Sequence, residues 1–248
     1  MESVSPSFRA RHEAAERGEA ARVLASLELT RERMAEQFPR TLVGLTVVLH
    51  GSFGSLALAR PPAAMAWFAS TAAGRRYVAG WGDKRELHVL GDRALQTRAS
   101  GLPESREMLR LAAAVLYARR VVAENNHDLT RKLAPFRGAA DLRWAWLLEG
   151  AAHWFSGQTD YARPAIARRL HEGRRPRFPP GLRDAGLLGG TVIDLLVSQQ
   201  GELAAAQAAC RLHPHGPRAA LTKAFGERPI TEIEGAWRAH LSRLAAAS

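Results

Sequence analysis

Cysteine is almost absent from this chain of 248 residues, and long apolar runs are missing altogether. The single cysteine, Cys210, excludes an intramolecular disulfide bond and a cysteine-based zinc site. No stretch approaches the run of about 18 uncharged apolar residues that a membrane-spanning helix needs. The first residues also lack the apolar run after a basic stretch that marks a secretory signal. We therefore expect a cytoplasmic protein with no membrane span.

Lysine is also scarce, although the chain is strongly basic. Lys and Arg number 35 against 24 Asp and Glu, which gives a net charge of +11, and nearly all the cations are arginines. Basic surfaces attract nucleic acid. The arginines are nevertheless spread along most of the chain, and the densest group consists of Arg168, Arg169, Arg174, Arg175, Arg177 and Arg183. This spread makes nucleic acid an unfavoured partner, and a nucleic-acid-associated protein that uses this group is one alternative function.

The apolar spacing changes along the chain. Before Pro39 it is loosely helical, which predicts one long helix from about Phe8 to Phe38, or two helices with a break near Leu29. Three short strands are then predicted by β-branched and alternating residues, at Thr41–His50, Arg76–Ala79 and Glu86–Leu90. Gly80, Gly82 and Asp83 between the last two strands favour a hairpin.

After Pro103 the spacing is helical as far as the C-terminal end of the sequence. Helices are predicted at Met108–Val122, Trp144–Phe155, Thr159–His171, Leu187–Val197, Leu203–Leu212, Leu221–Phe225 and Ile230–Ala247. A small mixed sheet of short strands followed by a run of helices predicts an α+β fold. We divide the chain into an N-terminal helical extension, residues 1–39, and an α+β domain, residues 40–248.

Two of the predicted helices carry a recognisable pattern. The segment Trp146-Leu-Leu-Glu149-Gly-Ala-Ala-His153-Trp-Phe-Ser-Gly157 resembles the motif W-L-x-E-G-x-A-E-[YF]-F-S-G of the gluzincins, which are HExxH zinc metallopeptidases of the peptidase MA-like superfamily. In the preceding helix, Val121-Val-Ala-Glu-Asn-Asn-His127 is similar to the family's V-V-A-H-E-x-x-H. A short Ala-Phe-Gly turn and a terminal E-x-x-W-R helix resemble the family's tail, so that the likeness covers roughly Thr41 to Leu244.

The resemblance implies a site for metal-dependent peptide hydrolysis that has lost a ligand. In such enzymes two histidines one helical turn apart bind zinc with a downstream glutamate, and the glutamate of HExxH activates the metal-bound water. Carried over, these roles make Glu124 the catalytic residue and His127 and Glu149 metal ligands. Ala123 stands at the first ligand position, and alanine binds no metal. Residues 40–248 thus resemble a degenerate peptidase MA-like domain, and we expect neither peptidase activity nor a cofactor.

His153 leaves an alternative open. This position is usually acidic in the family, and His153 follows Glu149 by four residues, on the same helix face. One interpretation is a polar residue that fills a disused pocket. The other is a shifted zinc site of His127, Glu149 and His153 in an active hydrolase. The leading hypothesis is a pseudo-peptidase whose cleft binds a peptide or protein partner.

Glu86 and His88 point the same way on a predicted strand. In the gluzincins the corresponding strand would be the sheet edge that faces the substrate. A structural role in contacts across the strands is the preferred interpretation of this pair.

Overall fold

The computed structural model describes residues 1–69, 77–83, 85–128, 142–172 and 175–247. Its strands are β1 (Glu2–Val4), β2 (Phe8–Arg11), β3 (Leu45–His50), β4 (Gly80–Gly82) and β5 (Glu86–Leu90). Its first six helices are α1 (Arg17–Gln37), α2 (Phe53–Ala59), α3 (Pro61–Ala69), α4 (Asp92–Arg98), α5 (Ser105–Arg110) and α6 (Ala112–Asn125). The others are α7 (Ala145–Phe155), α8 (Arg163–His171), α9 (Leu182–Gln200), α10 (Glu202–Ala209), α11 (Pro217–Ala224) and α12 (Ile230–Ala246). The predicted α+β class is confirmed.

The strands form one mixed sheet in the order β1-β2-β3-β5-β4. The pairs β2–β3 and β3–β5 are parallel, and the outer pairs β1–β2 and β4–β5 are antiparallel. The strand that carries Glu86 and His88 is therefore internal, and the expectation that it forms the sheet edge is wrong. In the described sheet that edge is the short strand β4.

The N-terminal residues differ from the prediction. Phe8–Arg11 is a strand rather than the start of a helix, and α1 begins only at Arg17. The buried ring of Phe8 packs edge-on against that of Tyr117, with 5.3 Å between ring centroids. Glu28 of α1 accepts hydrogen bonds from the Ser5 hydroxyl and the Ser7 amide, which hold its pKa at about 2 in spite of burial. Tertiary contacts of this kind override the helical preference of the segment.

The other predicted boundaries move by a few residues. The strand expected at Arg76–Ala79 begins at Gly80, and Arg76 lies outside the described residues. The helix expected at Met108–Val122 is divided into α5 and α6. Across the described ranges no helix combines the length and the apolar character that crossing a membrane requires.

Two glycines bring α7 and α9 into backbone contact. A Cβ atom at Gly150 would lie 2.5 Å from the carbonyl carbon and oxygen of Gly189, and one at Gly189 would lie 2.6 Å from the carbonyl oxygen of Trp146. The pair is stabilised further by Trp154 of α7, whose Nε1 donates to Asp194 of α9 over 3.1 Å. This contact sets the position of α7, which carries Glu149 and His153.

Candidate functional site

A pocket of about 310 Å³ lies between the sheet and the helical half of the protein. Residues 77–80, which lead into the edge strand β4, form one wall. The other walls come from α6, α7, α8 and the first turns of α9. The volume is at the lower end of the range for small-molecule sites, and the lining combines apolar side chains with a few charged ones.

A cluster of Arg119, Glu149 and His153 lines this pocket. The guanidinium of Arg119 donates a short hydrogen bond to the Glu149 carboxylate, and His153 Nε2 lies 3.7 Å from Glu149 Oε2. Burial alone would raise the pKa of Glu149, but the charge of Arg119 and the neighbouring His153 ring hold it at about 2. Glu149 is therefore a carboxylate at neutral pH, with two partners already in contact.

Glu124 and His127 lie on either side of the end of helix α6, and the pocket lining includes neither of them. Helix α6 ends at Asn125, and Asn126 has extended backbone angles, so that one continuous helix does not carry both Glu124 and His127. Glu124 is half-buried and His127 is exposed, and neither lines the pocket. Of the four residues predicted for the site, the pocket brings together Glu149 and His153.

The two asparagines of the motif explain where the helix ends. The buried Asn125 side chain donates to the carbonyl of Arg40 over 2.8 Å and accepts from the Arg40 amide over 3.1 Å. Asn126, which is fully buried, donates to the carbonyl of Ala209 over 2.7 Å. Both amides thus bind neighbouring backbone, as buried polar groups require, and turn the chain away from the helix axis.

Arg119 occupies the part of the site that a metal ion at Glu149 would need. It precedes Ala123 by one helical turn, and its cationic head contacts the carboxylate directly. Like unit charges about 4 Å apart near a protein surface repel each other by about 4 kcal/mol, and a divalent ion doubles this figure. The residues in contact with Glu149 therefore do not fit a zinc ion unless Arg119 moves away.

Gln158 contributes an unused acceptor to the wall of the pocket. Its side chain is 2% exposed, and Nε2 donates to the carbonyl of Met108 over 2.6 Å. The Oε1 atom has no hydrogen-bond partner within the described part of the chain. A buried acceptor without a partner costs free energy.

Arginines dominate the charge around the pocket. Arg169 and Asp184 form a buried bidentate pair with distances of 2.7 and 2.8 Å. Arg168 contacts Glu172 over 3.3 Å and also donates to the Tyr77 hydroxyl. Arg183 is exposed and forms no ion pair with any residue that the structure describes. The charged residues of the lining are Arg119, Arg168, Arg169, Arg183, Glu149, Glu172 and Asp184, four cations against three anions.

The dense arginine group of the sequence is only partly assembled here. Arg168, Arg169 and Arg183 reach the pocket, and the first two are compensated by carboxylates. Arg175 and Arg177 are exposed, and Arg174 lies outside the described residues. The compensated arginines have less charge to offer to a nucleic-acid backbone.

Sequence reasoning missed Arg119 and Gln158. Arg119 lies four residues before Ala123, so helical spacing was the available signal for placing it on the same face. No pattern singled out Gln158, because its importance rests on an acceptor left unpaired by the packing.

Comparison with known proteins finds no match: no family model, no curated protein and no solved structure is similar to this chain. The likeness to the gluzincins therefore rests on the residues of the two motif helices and on the tail.

Proposed function

We propose that the chain is a degenerate gluzincin-like domain that binds an extended peptide segment of a partner in this pocket and does not hydrolyse it. The observation that carries the proposal is the edge strand β4, whose residue Gly80 lines the pocket. A free strand edge offers backbone groups to an added strand, which is a common mode of peptide recognition.

The register shows which backbone groups β4 offers. Leu90 N donates to Ala79 O over 2.9 Å and Asp83 N donates to Glu86 O over 2.8 Å, so that residues 79, 81 and 83 face β5. Residues 78, 80 and 82 alternate with them and face outward. Arg98 donates to the carbonyl of Val78, and Arg60 donates to that of Gly82. Gly80, which is itself buried, is thus the position of this edge whose carbonyl no described arginine covers.

The absence of hydrolysis follows from the Arg119–Glu149 pair. A peptidase of this type needs a metal ion to lower the pKa of the attacking water. Arg119 places a positive charge beside Glu149, where a peptidase would hold its metal ion. Unlike a metal ion, a guanidinium has no open coordination position for the attacking water. It is suited to hold a carbonyl or carboxylate oxygen of a bound peptide rather than to activate water.

The pocket favours a peptide with an acidic group. Arg183 on the rim has no described carboxylate partner, and the lining has one more cation than anions. Apolar walls from Val115, Leu116 and Leu187 would accommodate a neighbouring aliphatic side chain.

The shifted zinc site remains the second candidate, because Glu149 and His153 lie together in the pocket. It requires that Arg119 leave Glu149 and that a third ligand reach the metal. Zinc titration of a His153 variant, described in the next subsection, separates this candidate from the peptide-binding function.

Filling the pocket should abolish peptide binding. Gly186 lies inside α9 and lines the pocket, and a Cβ atom there meets nothing within 4 Å. We expect Gly186→Phe to weaken binding at least about tenfold, the equivalent of about 1.4 kcal/mol, because the ring occupies space that the ligand needs. A phage-displayed library of random linear heptapeptides supplies the probe, and fluorescence anisotropy of a selected, labelled peptide measures the Kd.

Gly235→Phe is the matched control. Gly235 also lies inside a helix, α12, with nothing within 4 Å of its Cβ position, but it does not line the pocket. It should leave the Kd unchanged. A library that yields no binder, or a selected peptide that binds Gly186→Phe as tightly as the wild type, would refute the proposed function.

A further inference from the structure

Asp83, Glu86 and His88 converge at the hairpin between β4 and β5. Glu86 and His88 alternate on β5 and therefore project from the same face of the sheet. Asp83 lies in the turn, where its Oδ1 accepts hydrogen bonds from the amides of Arg85 and Glu86 over 2.9 Å each. One ligand atom from each of the three side chains lies within 4.8 Å of the other two.

The spacing of these atoms suits a small divalent ion. Zinc binds histidine nitrogen and carboxylate oxygen at about 2.0–2.1 Å, and tetrahedral geometry then separates two ligands by about 3.3 Å. His88 Nε2 lies 3.4 Å from Glu86 Oε2. Two of the three donors are therefore already at the distance of neighbouring ligands.

His50 contacts the ring nitrogen of His88 that faces away from Glu86. His50 Nε2 lies 3.1 Å from His88 Nδ1, so that His50 can accept the Nδ1 proton and leave the Nε2 lone pair directed at Glu86. Metal-bound histidines nearly always have such a hydrogen-bond partner on the second nitrogen.

The present counter-charges are displaceable. Arg11 contacts Glu86, and Arg60 lies 3.6 Å from Asp83, but the two arginine side chains are 53% and 36% exposed. Exposed ion pairs contribute about 0–1 kcal/mol. A metal ion that binds both carboxylates and an imidazole compensates for the loss of such contacts.

We propose that Asp83, Glu86 and His88 form a zinc-binding site, with His50 as a positioning residue. The site ties the turn after β4 to the internal strand β5, so that an ion there fixes the edge strand whose residue Gly80 borders the pocket. It shares no residue with the pocket, and it stands whether or not the pocket binds a peptide.

Zinc titration of the untagged full chain by isothermal calorimetry tests the site. The wild type should bind one zinc ion, and Glu86→Gln should weaken that binding at least about 100-fold, because even the loss of an outer partner costs 10- to 100-fold. Asp83→Asn should act in the same direction, and its remaining Oδ1 preserves the turn. Glu36→Gln, at an exposed position of α1, is the matched control and should leave the affinity unchanged.

His153→Gln distinguishes this site from the one in the pocket. Zinc binding that survives His153→Gln and is lost in Glu86→Gln supports the proposal. Binding that is lost in His153→Gln and survives Glu86→Gln overturns it. Binding that survives in both variants identifies an adventitious surface site and overturns it as well, as does a wild type that binds no zinc.

The zinc affinities of two His50 variants distinguish a positioning role from a purely structural one. His50→Phe should lower the zinc affinity about tenfold by removing the acceptor behind His88, whereas His50→Gln, with an amide oxygen that accepts the same proton, should restore most of it. Zinc should also raise the Tm of the wild type and leave that of Glu86→Gln unchanged. Equal affinities for the Phe and Gln variants would remove His50 from the site.

Discussion

Replacement of Gly150 by alanine should destabilise the protein by about 3 kcal/mol, at the upper end of the cost of overpacking a core. The added methyl group would lie 2.5 Å from backbone atoms of Gly189, and backbone cannot rotate away as a side chain can. Helices α7 and α9 must then separate, which opens the buried interface around them. Urea unfolding followed by circular dichroism measures the loss as a lower midpoint at an unchanged slope.

Gly186→Ala is the matched control on the facing helix. Its Cβ atom meets nothing within 4 Å, and it replaces a glycine inside α9. Alanine is favoured over glycine inside a helix by about 0.8–1.0 kcal/mol, so this variant should be more stable than the wild type. If both alanine variants changed stability in the same direction, the close contact between α7 and α9 would be wrong.

The same contact bears on the pocket. Glu149 precedes Gly150 on α7, and residues 182–187 at the start of α9 form the facing wall. A shift between the two helices therefore changes the width of the pocket directly. Gly150→Ala should therefore weaken peptide binding as well as the fold.

The helical half was largely predictable because its helices are amphipathic or wholly buried. The apolar spacing around Trp146 and Phe155 predicts α7 to within one residue of its observed start. The β-branched run before His50 predicts β3, although the strand begins only at Leu45. Local pattern is sufficient where each residue's preference agrees with its final surroundings.

Strand β2 was not predictable by the same means. The segment Phe8–Arg11 contains two arginines and no β-branched residue, and it directly precedes a strongly helical sequence. Its strand conformation comes from parallel pairing with β3, whose residues lie more than thirty positions further along the chain. Pairing between distant segments leaves little trace in local spacing.

The candidate site was also predictable only in part. Glu149 and His153 were predicted from one helix, and they do share a face of α7 and a pocket. Placing His127 there assumed that α6 continues past Asn125, which the asparagine contacts to Arg40 and Ala209 prevent. Glu124 lies on α6 itself and still does not line the pocket. A motif specifies residue types at given spacings, but it does not show whether the helix extends far enough to place all of them on one face.

Removal of either member of the Arg119–Glu149 pair should destabilise the protein, and removal of both should cost less than the sum. Arg119→Met leaves Glu149 with His153 as its described polar partner, at an expected cost of about 2 kcal/mol. This is below the 3–5 kcal/mol of a fully buried pair, because Arg119 is 44% exposed. Combined with Glu149→Gln, the same change should show a coupling of about 1–2 kcal/mol in a double-mutant cycle at pH 7.

The pH dependence of the unfolding free energy is an independent test of the Arg119–Glu149 double-mutant cycle. The pKa of Glu149 is about 2 in the folded protein and 4.5 in its ordinary state, so the stability that its charge contributes is complete above pH 4.5 and is lost as the pH falls towards 2. The difference in unfolding free energy between the wild type and Glu149→Gln should therefore be largest at pH 7 and should shrink between pH 4.5 and 3. Glu36→Gln, in which an exposed carboxylate is removed, should track the wild type throughout. If the difference in unfolding free energy between the wild type and Glu149→Gln stayed constant from pH 7 to 3, the charge on Glu149 would not be what Arg119 stabilises. The Arg119–Glu149 ion pair would then contribute nothing to the stability of the folded protein.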